Sequence, residues 1–160
     1  MGFEAMIRSM TEADLDQVLA IECLCHSTPW SRAMFQNELD NPLSRIDLLW
    51  LDGRLAGFLC SWRVCRELSI LNIATAPAMR RRGVAQALLE QVLDRNMRAG
   101  LDRALLEVRV SNQAAIALYL SFGFRQIDCR QNYYRDGEDA LVMEWLPTDL
   151  NRPGTPCQKH

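Results

Sequence analysis

Two rhythms of apolar and polar positions run along the 160 residues. Short runs of alternating or continuous apolar character read as strands at Ala5–Ser9, Arg45–Leu51, Leu55–Val64 and Glu67–Thr75, and again at Ala104–Val110, Phe124–Arg130 and Ala140–Trp145. Between them the apolar residues recur at helical spacing. Leu15, Val18, Leu19 and Ile21 predict a helix running to about Cys25, opened by Thr11 in a TEAD sequence whose acid, three residues on, can reach back to the N-cap. Ser31 can cap a short second helix carrying Met34, Phe35 and Leu39, stopped by Asn41-Pro42. Val84, Leu88 and Val92 predict a third from Val84 to Ala99, closed by Gly100, and a fourth spans Gln113–Ser121 and ends at Gly123. The Asp52-Gly53 pair is a tight-turn signal that makes the strands from Arg45 to Thr75 an antiparallel meander. This order predicts an α+β fold, a mixed central β-sheet flanked by α-helices.

Length suits one compact domain, placed at residues 1–146, with a flexible C-terminal tail at 147–160, where Pro and polar residues accumulate. The balance of 18 Lys+Arg against 20 Asp+Glu gives no broad attraction to nucleic acid or anionic membrane. No apolar run suits a signal peptide or a membrane span, so a cytoplasmic protein is expected. Six cysteines lack any C-x-x-C spacing. Cys23, Cys25 and His26 cluster without a second ligand group, so no metal is expected; the cysteines read as buried thiols, with Cys129 in a core strand.

The segment LNIATAPAMRRRGVAQALL places Arg80, Arg81 and Arg82 just ahead of a helix, where the helix dipole disfavours cations. An anion among them removes the conflict. Free amides of the first helical turn point toward such a ligand, and Gly83 lets the backbone approach it without a Cβ. The loop thus reads as a phosphate cradle, although neither a Walker sequence nor G-x-G-x-x-G is present. A solvated charge run is the equally weighted alternative.

At this point the residues resemble a known family. RRRGVA at Arg80–Ala85 fits the Q/R-x-x-G-x-G/A loop by which the GNAT superfamily binds the pyrophosphate of acetyl-CoA. Read with LNIAT before it, LLEVRVSNQAAIALYLSFGF after it, RQNYYRDGEDALVMEW near the end and PWS at Pro29–Ser31, the chain resembles the RimI subfamily over roughly Ala5–Leu146. That subfamily acetylates the N-terminal α-amine of a small-subunit ribosomal protein. The resemblance implies a GNAT fold, acetyl-CoA as co-substrate, and the N-terminal segment of a protein as partner. It implies that Ile73, Ala74 and Thr75 flank the acetyl-pantetheine arm, that Arg81, Arg82, Gly83, Val84, Ala85 and Gln86 hold the pyrophosphate, and that Asn112 contacts the cofactor. It also makes Glu107 the proton acceptor and Tyr119 the proton donor.

The chemistry agrees with those roles. An α-amine with a pKa of about 7.7–8.0 is mostly protonated near neutral pH and attacks a thioester only once deprotonated. A phenol can protonate the departing thiolate, and a backbone amide near Ile73 is the candidate donor to the thioester carbonyl. Local physics alone leaves other readings open. Glu107 can be a surface carboxylate balanced by Arg109, and Tyr119 can be a packing residue. Trp30, Tyr133 and Tyr134 can wall a groove for an extended peptide or fill the edge of the core.

The chain departs from the RimI pattern at Ala85, Arg135 and Leu120, where a second glycine, a proline and an acid are familiar, so the peptide-facing rim can differ. The two histidines lie in a loop and in the tail, so direct attack by the amine is expected rather than an acetyl-enzyme. Two alternatives are a GNAT enzyme acting on lysine or a small-molecule amine, and a noncatalytic acetyl-CoA-binding module. A monomer is the simplest expectation.

Overall fold

The computed structural model describes residues 4–147. Of the expected tail, 148–160 lies outside the described residues. Seven strands form a mixed sheet in the order β1-β2-β3-β4-β5-β7-β6, flanked by four α-helices. The strands are β1 (Ala5–Ser9), β2 (Ser44–Leu51), β3 (Arg54–Val64), β4 (Glu67–Thr75), β5 (Arg103–Arg109), β6 (Arg125–Arg130) and β7 (Ala140–Trp145). The helices are α1 (Leu15–Cys25), α2 (Arg32–Asp40), α3 (Val84–Arg98) and α4 (Gln113–Ser121). The elements predicted from the sequence are present, with ends moved by a residue or so. The helix expected from Thr11 is the exception: Glu12–Asp14 form a 3-10 turn before α1 begins. Its cap is as expected, since the Thr11 amide donates to Asp14 Oδ2 at 2.8 Å.

The described residues divide into two compact units, one of 4–63 with 70–95 and the other of 64–69 with 96–147. In the first, β1 and β2 are antiparallel, as are β2 and β3, which are joined through Asp52 and Gly53 at φ 49° and 77°. Left-handed backbone at both positions is what a two-residue hairpin of this twist requires. Phe35, Leu48, Phe58 and Val18 are fully buried in its core, with the Phe35 and Phe58 rings edge to face at 5.7 Å. Asp47 lies between Ile46 and Leu48 on β2 and so faces the other side of the sheet, where it is fully buried and its carboxylate receives both terminal nitrogens of Arg95 at 2.9 Å and Arg45 Nε at 3.0 Å. A buried carboxylate is tolerable only with its lone pairs matched in this way. Gly57 marks a close approach, because a Cβ there would stand 2.6 Å from the Ala74 carbonyl oxygen and 2.8 Å from Val84 Cγ1.

In the second unit β7 pairs antiparallel with both β5 and β6. Burial alternates along β5, with Ala104, Leu106 and Val108 covered and Leu105, Glu107 and Arg109 on the half-exposed face. Tyr119, Phe124 and Trp145 stack in sequence at 5.7 and 6.4 Å, and Trp145 Nε1 donates to the Phe122 carbonyl at 2.8 Å. β6 is exposed along its whole length, so Cys129 is not the core residue the sequence suggested. Cys23 and Cys65 are exposed as well, and among the described residues only Cys60 is fully buried; for these five the expectation of buried thiols fails because most of them sit on outward faces or at a turn, while Cys157 lies outside the described residues.

Candidate active site

Within the first unit, β4 delivers Ile73, Ala74 and Thr75 to the start of the loop that precedes α3. Ala74 is buried, while Ile73 and Thr75 are half-buried. The Ala76 amide donates to the Ala56 carbonyl at 2.7 Å, fixing the point where the chain leaves the sheet. A 3-10 turn at Pro77–Met79 follows, and the loop then carries Arg81 at φ 64° and Gly83 at φ 74°. Left-handed residues this close together curl the backbone and turn its amides toward one side. A Cβ on Gly83 would meet nothing within 4 Å, so the space in front of the loop is open. Arg80, Arg81, Arg82 and Gly83 are exposed and Val84 is buried as the first residue of α3. Guanidinium groups, amides of a helix N-terminus and an open glycine suit a diphosphate. Ala85 and Gln86 occupy the first turn of α3.

Arg80 also touches Cys25, whose thiol donates to the Thr75 carbonyl at 3.1 Å. Burial pushes this thiol's pKa up, partly offset by Arg80, which leaves it a weak nucleophile. Among the described residues, no group of three or more His, Cys, Asp and Glu side chains is arranged to hold a metal ion.

Within the second unit, Glu107 lies at the centre of a polar and aromatic group. Its Oε1 is 2.8 Å from Arg130 Nη1. Tyr133 hydrogen-bonds to the same carboxylate, which raises the pKa of the phenol. The Arg130 guanidinium lies over the Tyr133 ring at 5.6 Å. Tyr133 meets Tyr134 edge to face at 5.1 Å, and Tyr134 in turn lies 3.9 Å beneath the Arg109 guanidinium. Arg109 Nη1 is shared by Asp136 and Glu138, each at 2.9 Å. Arg109 is therefore occupied elsewhere, and the cation balancing Glu107 is Arg130. Tyr119 is 4% exposed, and burial drives its pKa well above the ordinary phenol value, with a smaller contribution from Tyr134. It remains protonated through the neutral range. Asn112 caps α4, its Oδ1 accepting from the Ala115 amide at 3.2 Å, which leaves its amide NH2 as the group for a ligand.

Trp30 belongs to the first unit, half-buried, with its ring 5.3 Å from Phe35. Its amide donates to Glu22 at 3.0 Å. Glu22 and Arg130 are the two polar residues the sequence reading missed. A signal for Glu22 existed: it stands seven residues after Leu15 and four after Val18, on the buried stripe of α1. Arg130 gave none, because its link to Glu107 needs the register that sets β6 and β5 on either side of β7.

The model of the acetyltransferase (GNAT) family matches residues 15–124, more than half of the chain. The chain belongs to the GNAT family. Enzymes of this family take acetyl from acetyl-CoA. Among its relatives, the GNAT chain is 39% identical over 147 residues to the [ribosomal protein bS18]-alanine N-acetyltransferase of Escherichia coli K12, covering 90% of this chain and 98% of that one. A putative enzyme of the same name from Bacillus subtilis is 37% identical over 148 residues, 91% of this chain and 97% of the relative. The crystal structure of the E. coli ribosomal-protein-S18-alanine N-acetyltransferase superposes with a TM-score of 0.84 at 37% identity, covering 89% of this GNAT chain and 94% of that one.

Proposed function

We propose that this GNAT enzyme transfers acetyl from acetyl-CoA to the free α-amine of a protein N-terminus, and that its substrate is ribosomal protein bS18 in the cytoplasm. The observation that carries this reading is the 37–39% identity to bS18-alanine N-acetyltransferases along nine-tenths of the chain. In this reading Arg81, Arg82, Gly83, Val84, Ala85 and Gln86 hold the pyrophosphate; the open space at Gly83 and the curled backbone support that role. Ile73, Ala74 and Thr75 flank the acetyl-pantetheine arm, and Asn112 contributes its amide NH2.

Glu107 accepts the proton that the substrate ammonium must lose, directly or through a water, after which the amine nitrogen bonds to the thioester carbon. The nitrogen, now cationic, sheds its second proton to water, and the carbon–sulfur bond breaks with the electron pair leaving on sulfur, which yields the neutral amide. Tyr119, kept protonated by burial, donates to that sulfur. Tyr133 and Tyr134, with Trp30, wall the peptide. The hydrogen bond from Tyr133 to Glu107 supports this assignment, since it joins a substrate-facing aromatic to the proton acceptor.

The test is acetyl-CoA turnover with a bS18 N-terminal peptide, against the same peptide blocked at its α-amine but carrying an internal lysine. CoA release and product mass are both followed. Acetylation of the free N-terminus alone is the expected result. Modification of the lysine alone overturns the reading in favour of a lysine acetyltransferase, and no reaction with either peptide overturns bS18 as the substrate.

A further inference from the structure

The buried carboxylates of the first unit differ in their partners. Asp14 is paired with Arg8 and Asp47 with Arg95 and Arg45, which accounts for both as structural ion pairs. Glu22 is 1% exposed, and its hydrogen-bond donors, Asn72 and the Trp30 amide, are uncharged, with the His26 ring only in close contact. Asn72 Nδ2 lies 3.0 Å from Oε1 and 3.2 Å from Oε2, the Trp30 amide lies 3.0 Å from Oε2, and His26 Nε2 lies 3.2 Å from Oε1.

A helix stripe that needs only apolar cover gains nothing from a glutamate, because burying a carboxylate is costly unless its lone pairs are used. What a carboxylate adds is acceptor capacity at one point. Here it joins three segments of chain: α1, which carries it; β4, through Asn72 beside Ile73; and the loop between α1 and α2, through Trp30. The same last turn of α1 meets β4 again one step along, where the Cys25 thiol donates to the Thr75 carbonyl. Pro29 has no amide hydrogen, so Trp30 supplies the first donor after it, and that donor is the one Glu22 takes.

We propose that Glu22 is a positioning residue: it fixes the Pro29–Trp30 segment against α1 and β4, and thereby sets the enzyme's grip on its peptide rather than the chemical step. This rests on the reading of Trp30 as part of the peptide wall. Glu22 touches no substrate, since it is buried; it acts through the Trp30 amide.

The full chain tests this in the Glu22→Gln variant. Gln keeps one acceptor but turns an amide NH2 toward donors. Hydrogen exchange of the 26–31 segment is expected to speed up about tenfold while α3 is unchanged, the equivalent of one hydrogen bond lost locally. The peptide KM is expected to rise about tenfold, with kcat and acetyl-CoA affinity within about twofold of wild type. In the double variant Glu22→Gln with Asn72→Asp, donor and acceptor are exchanged, and most of the loss is expected to be restored. Unchanged exchange at 26–31 overturns the proposal. So does a parallel loss of α3 protection and acetyl-CoA affinity, which marks a general structural role. If wild type acetylates a lysine peptide and not the N-terminal one, the substrate reading fails, and the KM comparison is made on the lysine peptide. If wild type turns over neither, the exchange result alone decides, because it needs no substrate.

Discussion

Arg130 and Glu107 face each other across 2.8 Å, so the carboxylate proposed to take the substrate's proton already has a cation beside it. An incoming ammonium would find that carboxylate held ready and oriented, with Tyr133 as its second partner. Replacing the carboxylate should therefore remove proton acceptance without touching the residues of the cradle at Gly83. Glu107→Gln is expected to lower kcat about a hundredfold, with acetyl-CoA affinity unchanged by calorimetry. A loss of acetyl-CoA binding in equal measure would refute the assignment.

Tyr119 is neutral in the fold because burial opposes the phenolate. In the proposed mechanism its hydroxyl carries the chemistry, while its ring packs against Phe124. Tyr119→Phe should keep the stack with Phe124 and the melting temperature, while kcat falls about tenfold to a hundredfold, the range of a hydrogen bond to a charged group. Single-turnover kinetics check this directly. The raised pKa also means that an alkaline limb of the rate profile below pH 10 cannot be assigned to ionisation of Tyr119.

Gly57→Ala puts a carbon where the Ala74 carbonyl oxygen and Val84 now stand. The carbonyl belongs to backbone and cannot step aside cheaply. Overpacking here is expected to cost about 1–3 kcal/mol and, because Ala74 and Val84 bracket the cradle loop, to weaken acetyl-CoA binding as well. Thermal melts and a binding titration on the same sample measure both.

Acid stability should depend on Asp14. The bidentate contact with Arg8 at 2.8 Å, aided by Thr11, lowers its pKa from 3.8 to about 2. A carboxyl whose folded value is lowered stabilises the fold above its unfolded pKa. That stabilisation disappears as pH falls from about 4 toward about 2. It amounts to about 1–2 kcal/mol after discounting for the partly exposed arginine. In Asp14→Asn the pH dependence of urea unfolding across this window should flatten.

The order of strands and helices was legible because each element carries its own period, and the turns at Asp52-Gly53 and Gly123 are local chemistry. The proposed cradle stands out as a candidate for a similar reason: three arginines and a glycine in a row at a helix start are a contiguous signal. Pairings between elements were not. Arg130 reaches Glu107 only through β7, and Asp47 meets Arg95 across 48 residues, distances that no periodicity encodes. Glu22 was hidden differently, since a charged residue on a helix is ordinarily assigned to solvent. Its burial became visible only once Asn72 and the Trp30 amide were seen to face it.

The outward-facing cysteines bear on how any of this is measured. Reagents that report CoA by reacting with its sulfhydryl will also consume Cys23, Cys65 and Cys129, whereas Cys60, its pKa pushed up to about 12 by burial, stays silent. At enzyme concentrations near those of the product, such a readout counts the protein as well. Product mass avoids that background, and a variant with serine at 23, 65 and 129 would remove these three thiols from the colorimetric signal.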